Sequence, residues 1–266
     1  RSQEKTALLV ASVVAVALSL ASGSFNRYYL GIAVGGYEDP AAGKAQTADG
    51  EYHIKNYAFF PFYPFVMWVV TIPLGLLGMN AIATATLAGS IVSLLGTLAG
   101  MLALYDLTRD FFDDDGVIRT VFYMLIFPTS FFLAQIYTEG LFIGLAFWSL
   151  ALMRRKKLVW AGILAILATW TRAHGAALAL AMLIAWLTLI DWKKPWRDQL
   201  SWKWAALGLT VLMPLAAYQL WRTSNLGHGW ADIQPGYFGR GLLQIPESIG
   251  SWMYSLDYAS TTLQSG

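Results

Sequence analysis

Between Arg119 and Arg154 a single charged side chain, Glu139, interrupts a run of apolar and uncharged residues, in the setting Ile136-Tyr137-Thr138-Glu139-Gly140. A carboxylate in such a run is costly unless it is paired or wet, so it marks a place where a ligand or a buried cation is met. With Tyr137 beside it, Glu139 can accept a hydrogen bond from a sugar hydroxyl or pair with an arginine; with Thr138 it can also simply start a helix. From 158 to 190 the ionisable side chains are Arg172 and His174, in Thr171-Arg172-Ala173-His174-Gly175. Arginine offers a planar, permanently charged fork suited to phosphate, or it can snorkel to lipid headgroups. His174 suits a structural hydrogen bond or a proton transfer. The three histidines, His53, His174 and His228, stand in separate segments and there is no cysteine, so metal-ligand spacing is missing and neither metal nor cofactor is expected.

The elements that must position these residues are mostly apolar. Of 266 residues 57% are hydrophobic and 13% charged, and the mean hydropathy is +0.51. Lipid is the solvent that such a chain calls for, and the fold class expected is an all-α polytopic transmembrane helical bundle. A net charge of +2 gives no ground for a nucleic-acid partner, and the 12 Trp residues fit anchoring among membrane lipids at both interfaces. Runs near the ~20 residues needed to cross hydrocarbon lie at 6–22, 81–105, 117–135, 136–153, 158–170, 173–190 and 204–221, which makes about seven spans. The first, behind Lys5, reads as a span because further apolar runs follow it. A further run at 59–77 carries Pro61, Pro64 and Pro73 and predicts a broken, juxtamembrane or re-entrant helix. No repeat or low-complexity tract divides the chain, so 1–266 is expected to be a single transmembrane domain.

Sidedness follows from two basic clusters, Arg154-Arg155-Lys156-Lys157 and Lys193-Lys194-Pro195-Trp196-Arg197, two spans apart, both expected on the cytoplasmic face. The outer face then receives the first loop, 23–57, the turn at Tyr137-Thr138-Glu139, the turn at Arg172-Ala173-His174, and the segment 222–266. The acidic stretch 110–115 becomes a cytoplasmic loop. The tail after Arg222 reads as a loop awaiting its next helix, so a longer chain is expected. A carboxylate and an arginine on adjacent outer turns beneath a polar loop make a pocket for a phosphate-bearing amphiphile, or a plain ion pair.

Five motifs in order resemble the PIG-V-like mannosyltransferases of the GT-C superfamily. They are Tyr28-Tyr29-Leu30-Gly31-Ile32-Ala33 with Gly36-Tyr37, the stretch from Asn56 through Phe60-Pro61-Phe62-Tyr63-Pro64, Phe127-Pro128-Thr129-Ser130-Phe131-Phe132 running into Tyr137-Thr138-Glu139, Thr171-Arg172-Ala173-His174-Gly175, and Tyr237-Phe238-Gly239-Arg240. The resemblance implies a GT-C-like bundle whose first outer loop holds the active site. It also implies transfer of a sugar, typically mannose, from a polyprenyl-phosphate-linked donor with inversion, and an Asp base shortly before the aromatic pair matched by Tyr28-Tyr29.

Here the sequence departs from that pattern, because Ser24-Phe25-Asn26-Arg27 contains no carboxylate. The nearest loop acids are Glu38 and Asp39, with Asp49 and Glu51 beyond. Two functions are therefore expected as alternatives. One is an active transferase with Glu38 or Asp39 as base, Arg172 or Arg240 as phosphate clamp, and Glu139 with Tyr137 and His174 at the sugar. The other is a catalytically inactive scaffold or lipid-binding subunit in an assembly with other membrane subunits. A bacterial inner membrane is the expected location.

Overall fold

The computed structural model describes residues 26–46, 52–127, 130–190 and 202–238. The expected first span at 6–22, the basic cluster at 193–197, Asp49, Glu51 and Arg240 lie outside the described residues. The described chain is mostly helical. It opens with α1 (Asn26–Gly35) and a small antiparallel hairpin, β1 (Lys44–Gln46) with β2 (Tyr52–Ile54), which pairs Ala45 with His53. Then follow α2 (Phe62–Leu74), α3 (Ala81–Thr108), α4 (Asp114–Ile126), α5 (Thr138–Arg154), α6 (Leu158–Thr171), α7 (Leu178–Leu187), α8 (Trp202–Gly208), α9 (Met213–Arg222) and α10 (Asn225–Phe238).

Among the described residues two stretches are long and apolar enough to cross a membrane, Ala81–Thr108 and Trp204–Arg222; Phe62–Leu77, Leu158–Thr171 and Ala173–Leu187 are shorter apolar helices. At ~1.5 Å per residue α3 is about 42 Å long, more than the ~30 Å hydrocarbon core. Its outward residues Leu95, Leu98 and Leu102 are large, apolar and exposed, as befits a helix whose solvent is lipid. With these helices, the protein is read as a membrane protein.

Local chemistry sets the helix ends. The Asn80 side chain accepts from the Ala83 N–H at 2.8 Å and opens α3. The Asp113 side chain does the same for Gly116 at 3.0 Å, with Asp114 and Asp115 in the first turn of α4 facing its positive end. The expected run 117–135 is not one helix. α4 stops at Ile126, because Phe127 precedes Pro128 and takes an extended ψ of 139°; a short 3-10 turn follows at Ser130–Leu133.

The proline-rich run carries one helix, α2: Pro61 is its N-cap and Pro64 lies in its first turn, where N–H groups have no helical partner to lose, while Pro73 sits inside its last turn, just before the 3-10 turn Gly75–Leu77. The segment after Arg222 is not all loop either, since α10 spans Asn225–Phe238.

α3 and α5 form the tightest pair. A Cβ on Gly96 would lie 2.6 Å from the Leu141 backbone, one on Gly140 2.4 Å from the Ser93 carbonyl oxygen, and one on Gly144 2.6 Å from the Gly96 carbonyl oxygen. Small residues at these crossings let two backbones touch where lipid supplies no hydrophobic drive. The Thr97 hydroxyl adds a hydrogen bond to the Leu133 carbonyl at 2.6 Å. α5 ends with Lys156 at φ 58°, while the N–H groups of Lys156 and Lys157 bond Met153 and Leu152 at 2.9 Å. This is the helix stop that usually carries glycine.

Candidate functional site

The N-terminus of α5 and the bend after α6 meet at one end of the helical body. Tyr137 is extended, at φ −150°, and turns the chain into α5 so that Glu139 falls in its first turn. Arg172 is extended too, at φ −154°, and ends α6. The bend after it is tight, since a Cβ on Gly175 would lie 2.3 Å from the Thr169 nitrogen. Gly175 therefore fixes how closely the chain doubles back, and that sets where the guanidinium points.

Arg172 Nη1 forms an ion pair with Glu139 Oε1 and lies 3.4 Å from the Thr138 hydroxyl. The guanidinium carbon stands 5.9 Å from the Tyr137 ring centre. Three consecutive residues, Tyr137, Thr138 and Glu139, thus hold one arginine. A charge-assisted contact of this kind is worth more than a neutral one in surroundings that exclude water.

An aromatic and hydroxyl framework supports the pair. The buried Tyr29 of α1 packs edge-on against Phe59, Tyr63 and Tyr137, with ring centres 5.0, 5.1 and 5.6 Å away. Its hydroxyl reaches the Thr138 side chain, and burial pushes its phenol well above the usual range, so it stays protonated. Tyr63 of α2 bonds the Gly89 carbonyl at 3.2 Å and the Ser93 hydroxyl at 2.8 Å; Ser93 in turn donates to the Tyr137 carbonyl at 3.2 Å. Four helices, α1, α2, α3 and α5, therefore converge on Tyr137-Thr138-Glu139.

Beside this framework is a cavity of about 520 Å³, lined by Glu139 and otherwise mostly by apolar residues, among them Tyr123, Phe127, Phe132, Leu133, Ile143 and Phe147. Glu139 is the carboxylate on its wall. A carboxylate–guanidinium pair at the edge of an apolar space can orient a polar head while the space takes a hydrocarbon chain.

The loop acids are placed differently. Asp39 Oδ1 accepts from the Ala41 N–H at 2.9 Å and caps the short turn Pro40–Ala42. A Cβ on Gly35 would lie 2.7 Å from Asp39 Oδ2, so the carboxylate lies against the end of α1. Glu38 is exposed and accepts a hydrogen bond from the Tyr57 hydroxyl. That bond, with a smaller contribution from burial, pushes the Tyr57 phenol up to about 12. Among the described residues neither acid forms an ion pair with Arg172. His174 is exposed on the turn Ala173–Ala177, and Arg240 lies outside the described residues.

At the other end of α5 a second charged group has formed. Asp106, buried near the end of α3, receives Arg155 Nη2 at 2.5 Å, Arg109 Nε at 3.6 Å and Arg154 Nη2 at 3.7 Å. Arg154 also donates to the carbonyls of Asp106 and Leu107 at 2.6 and 3.2 Å, closing the C-terminus of α3. Sequence reasoning passed over Asp106 because it looked like the polar border of a span. It passed over Thr138 and Ser93 as ligand-supporting residues because uncharged hydroxyls in apolar runs carry no signal of their own.

A family model described as Mannosyltransferase (PIG-V) matches residues 44–227, more than half of the chain. The matched span includes Tyr137, Glu139, Arg172 and His174 and leaves out Glu38, Asp39 and Arg240. No curated protein and no solved structure matches the chain.

Proposed function

The chain belongs to the mannosyltransferase (PIG-V) family, and from that premise we propose that it transfers mannose from a polyprenyl-phosphate carrier to a hydroxyl acceptor, with inversion, at the outer face of a membrane. The observation that carries this reading is that Glu139, on the wall of a mostly apolar cavity, is paired with Arg172. Arg172 holds the carrier phosphate. Glu139 and Tyr137 meet the sugar, His174 stands at the rim, and the apolar walls accept the first units of the prenyl chain. Such a donor joins a hydrocarbon tail, a phosphate and a polyol, and the cavity edge offers a partner for each.

The reading includes a single GT-C-like membrane domain of about seven spans, with 23–57 and 222–266 on the outer side, in a bacterial inner membrane. Arg240 is a second cation for the phosphate in this arrangement. A specific observation favours a second reading. Positions 24–27 hold no carboxylate, and the nearest loop acids are engaged, Asp39 as a helix cap and Glu38 with Tyr57. A catalytically inactive scaffold or lipid-binding subunit of a larger membrane complex would look the same.

Turnover separates the two. Purified protein in lipid nanodiscs, given a short-chain mannosyl-phosphoprenol and octyl mannoside, is expected to release prenyl phosphate and form a disaccharide. Tight binding of the donor with no phosphate release would support the scaffold.

A further inference from the structure

Positions 24–27 hold no carboxylate to take the proton of the acceptor hydroxyl. Glu139 is the carboxylate on the cavity wall, while Asp39 is held against α1 as a cap and Glu38 lies exposed against Tyr57. We propose that Glu139 is the general base of the transfer, exchanging its salt-bridge partner with the leaving phosphate during the reaction. The proposal rests on the transferase reading.

The charges support the exchange. In the resting site the Glu139 carboxylate balances Arg172. During transfer the acceptor oxygen forms a bond to the anomeric carbon and the bond from that carbon to the phosphate oxygen breaks. The phosphate leaves with the bonding pair and gains one negative charge, and the acceptor proton passes to Glu139, which loses one. The guanidinium keeps a single excess counter-charge throughout, first the carboxylate and then the phosphate. At a half-buried pair, a reaction that moves charge from one side of a fixed cation to the other costs less than one that creates it.

Inversion puts base and leaving group on opposite faces of the sugar, so the sugar must enter between the two oxygens and the direct contact opens on binding. Among the described residues the charged or titratable groups around Glu139 are Arg172 from the bend, Tyr29 from α1, Tyr63 from α2, Tyr137 before α5 and, across the cavity, Tyr123 from α4. Burial keeps the Tyr29 phenol protonated.

The test is Glu139→Gln in the full chain in nanodiscs, with mannosyl-phosphoprenol as donor and either octyl mannoside or azide as nucleophile. Azide needs no deprotonation. The variant is expected to bind donor, to lose transfer to octyl mannoside by on the order of 10²–10⁴-fold, and to keep forming mannosyl azide with inverted configuration. Glu139→Asp, which keeps the charge and shortens the reach, guards against a folding failure and is expected to retain donor binding with reduced transfer. Loss of the azide product along with the disaccharide, in protein that still binds donor, would overturn the base role. So would abolition of transfer by Glu38→Gln while Glu139→Gln stays active. If wild-type protein consumes no donor with either nucleophile, the transferase reading itself falls and this assignment falls with it.

Discussion

At the scale of single residues, Arg172 does two things that a substitution separates. Its charge compensates the half-buried Glu139, and its fork offers directed donors to a phosphate. Arg172→Ala removes both and is expected to weaken donor binding by about 1.5–3 kcal/mol. It should also lower thermal stability, because Glu139 is left unpaired at the cavity wall. Arg172→Lys keeps the charge, so it should recover most of the stability and little of the donor affinity. Calorimetric binding of mannosyl-phosphoprenol and melting in detergent check the two effects independently; equal recovery of both by lysine would show that only the charge matters. This pair was legible in the sequence for a simple reason. In long apolar runs a charged residue stands out, and Glu139 and Arg172 are nearly the only ones in theirs. Tyr29, Ser93 and Thr138, which hold the pair in place, were not legible as its supports, because an uncharged hydroxyl sits in an apolar run at little cost and its partner is fixed only by the fold.

At the scale of elements, the pairing of α3 with α5 decides whether Glu139 meets the framework at all. Gly140 is the next residue after it, and a Cβ there would lie 2.4 Å from the Ser93 carbonyl oxygen, 2.7 Å from Thr97 Oγ1 and 2.8 Å from the Leu133 carbonyl oxygen. Gly140→Ala cannot be absorbed by a side-chain rotation, since two of the three neighbours are backbone. It is expected to cost about 1–3 kcal/mol through forced separation of the helices, measured as a lower melting temperature. The same separation pulls Tyr137 away from Ser93, so donor affinity should fall with it; a variant as stable as wild type would mean that α5 is held by contacts other than this crossing. The elements themselves were unevenly legible. Span 81–105 reappears as α3 because its apolar run is uninterrupted and capped by Asn80. In the proline-rich run the helix start was not legible, because Pro61 and Pro64 fall at its N-terminus, where a missing N–H costs nothing, and Pro73 alone sits inside it. α10 was missed because Gly227, Gly229 and Pro235 argue against a helix, whereas close packing overrides that propensity: a Cβ on Gly229 would lie 2.3 Å from the Tyr57 ring, and Trp230 packs against Phe60 and Trp221.

At the scale of the whole molecule, the two charged clusters sit at opposite ends of α5, whose 17 residues span about 25 Å at ~1.5 Å each. Hydrocarbon is ~30 Å thick, so a membrane that places the Asp106 group at one surface brings the Arg172–Glu139 pair close to the other. α1 packs at the Arg172 end through Tyr29, which meets Phe59 and Tyr137, and this ties the start of the first loop to that surface. No cysteine occurs in the chain, so single cysteines report sidedness without a background. Ala41→Cys in the first loop and Ala177→Cys after the bend, both exposed, are expected to react with a membrane-impermeant maleimide in intact cells. Lys157→Cys beside the Asp106 group is expected to react only after permeabilisation. Labelling of Ala41→Cys and Ala177→Cys from different sides would separate the loop from the arginine and remove the pocket that the transfer requires. Reaction of Lys157→Cys from the same side as the other two would mean that α5 does not cross, and the carrier would then have no lipid phase from which to reach Glu139.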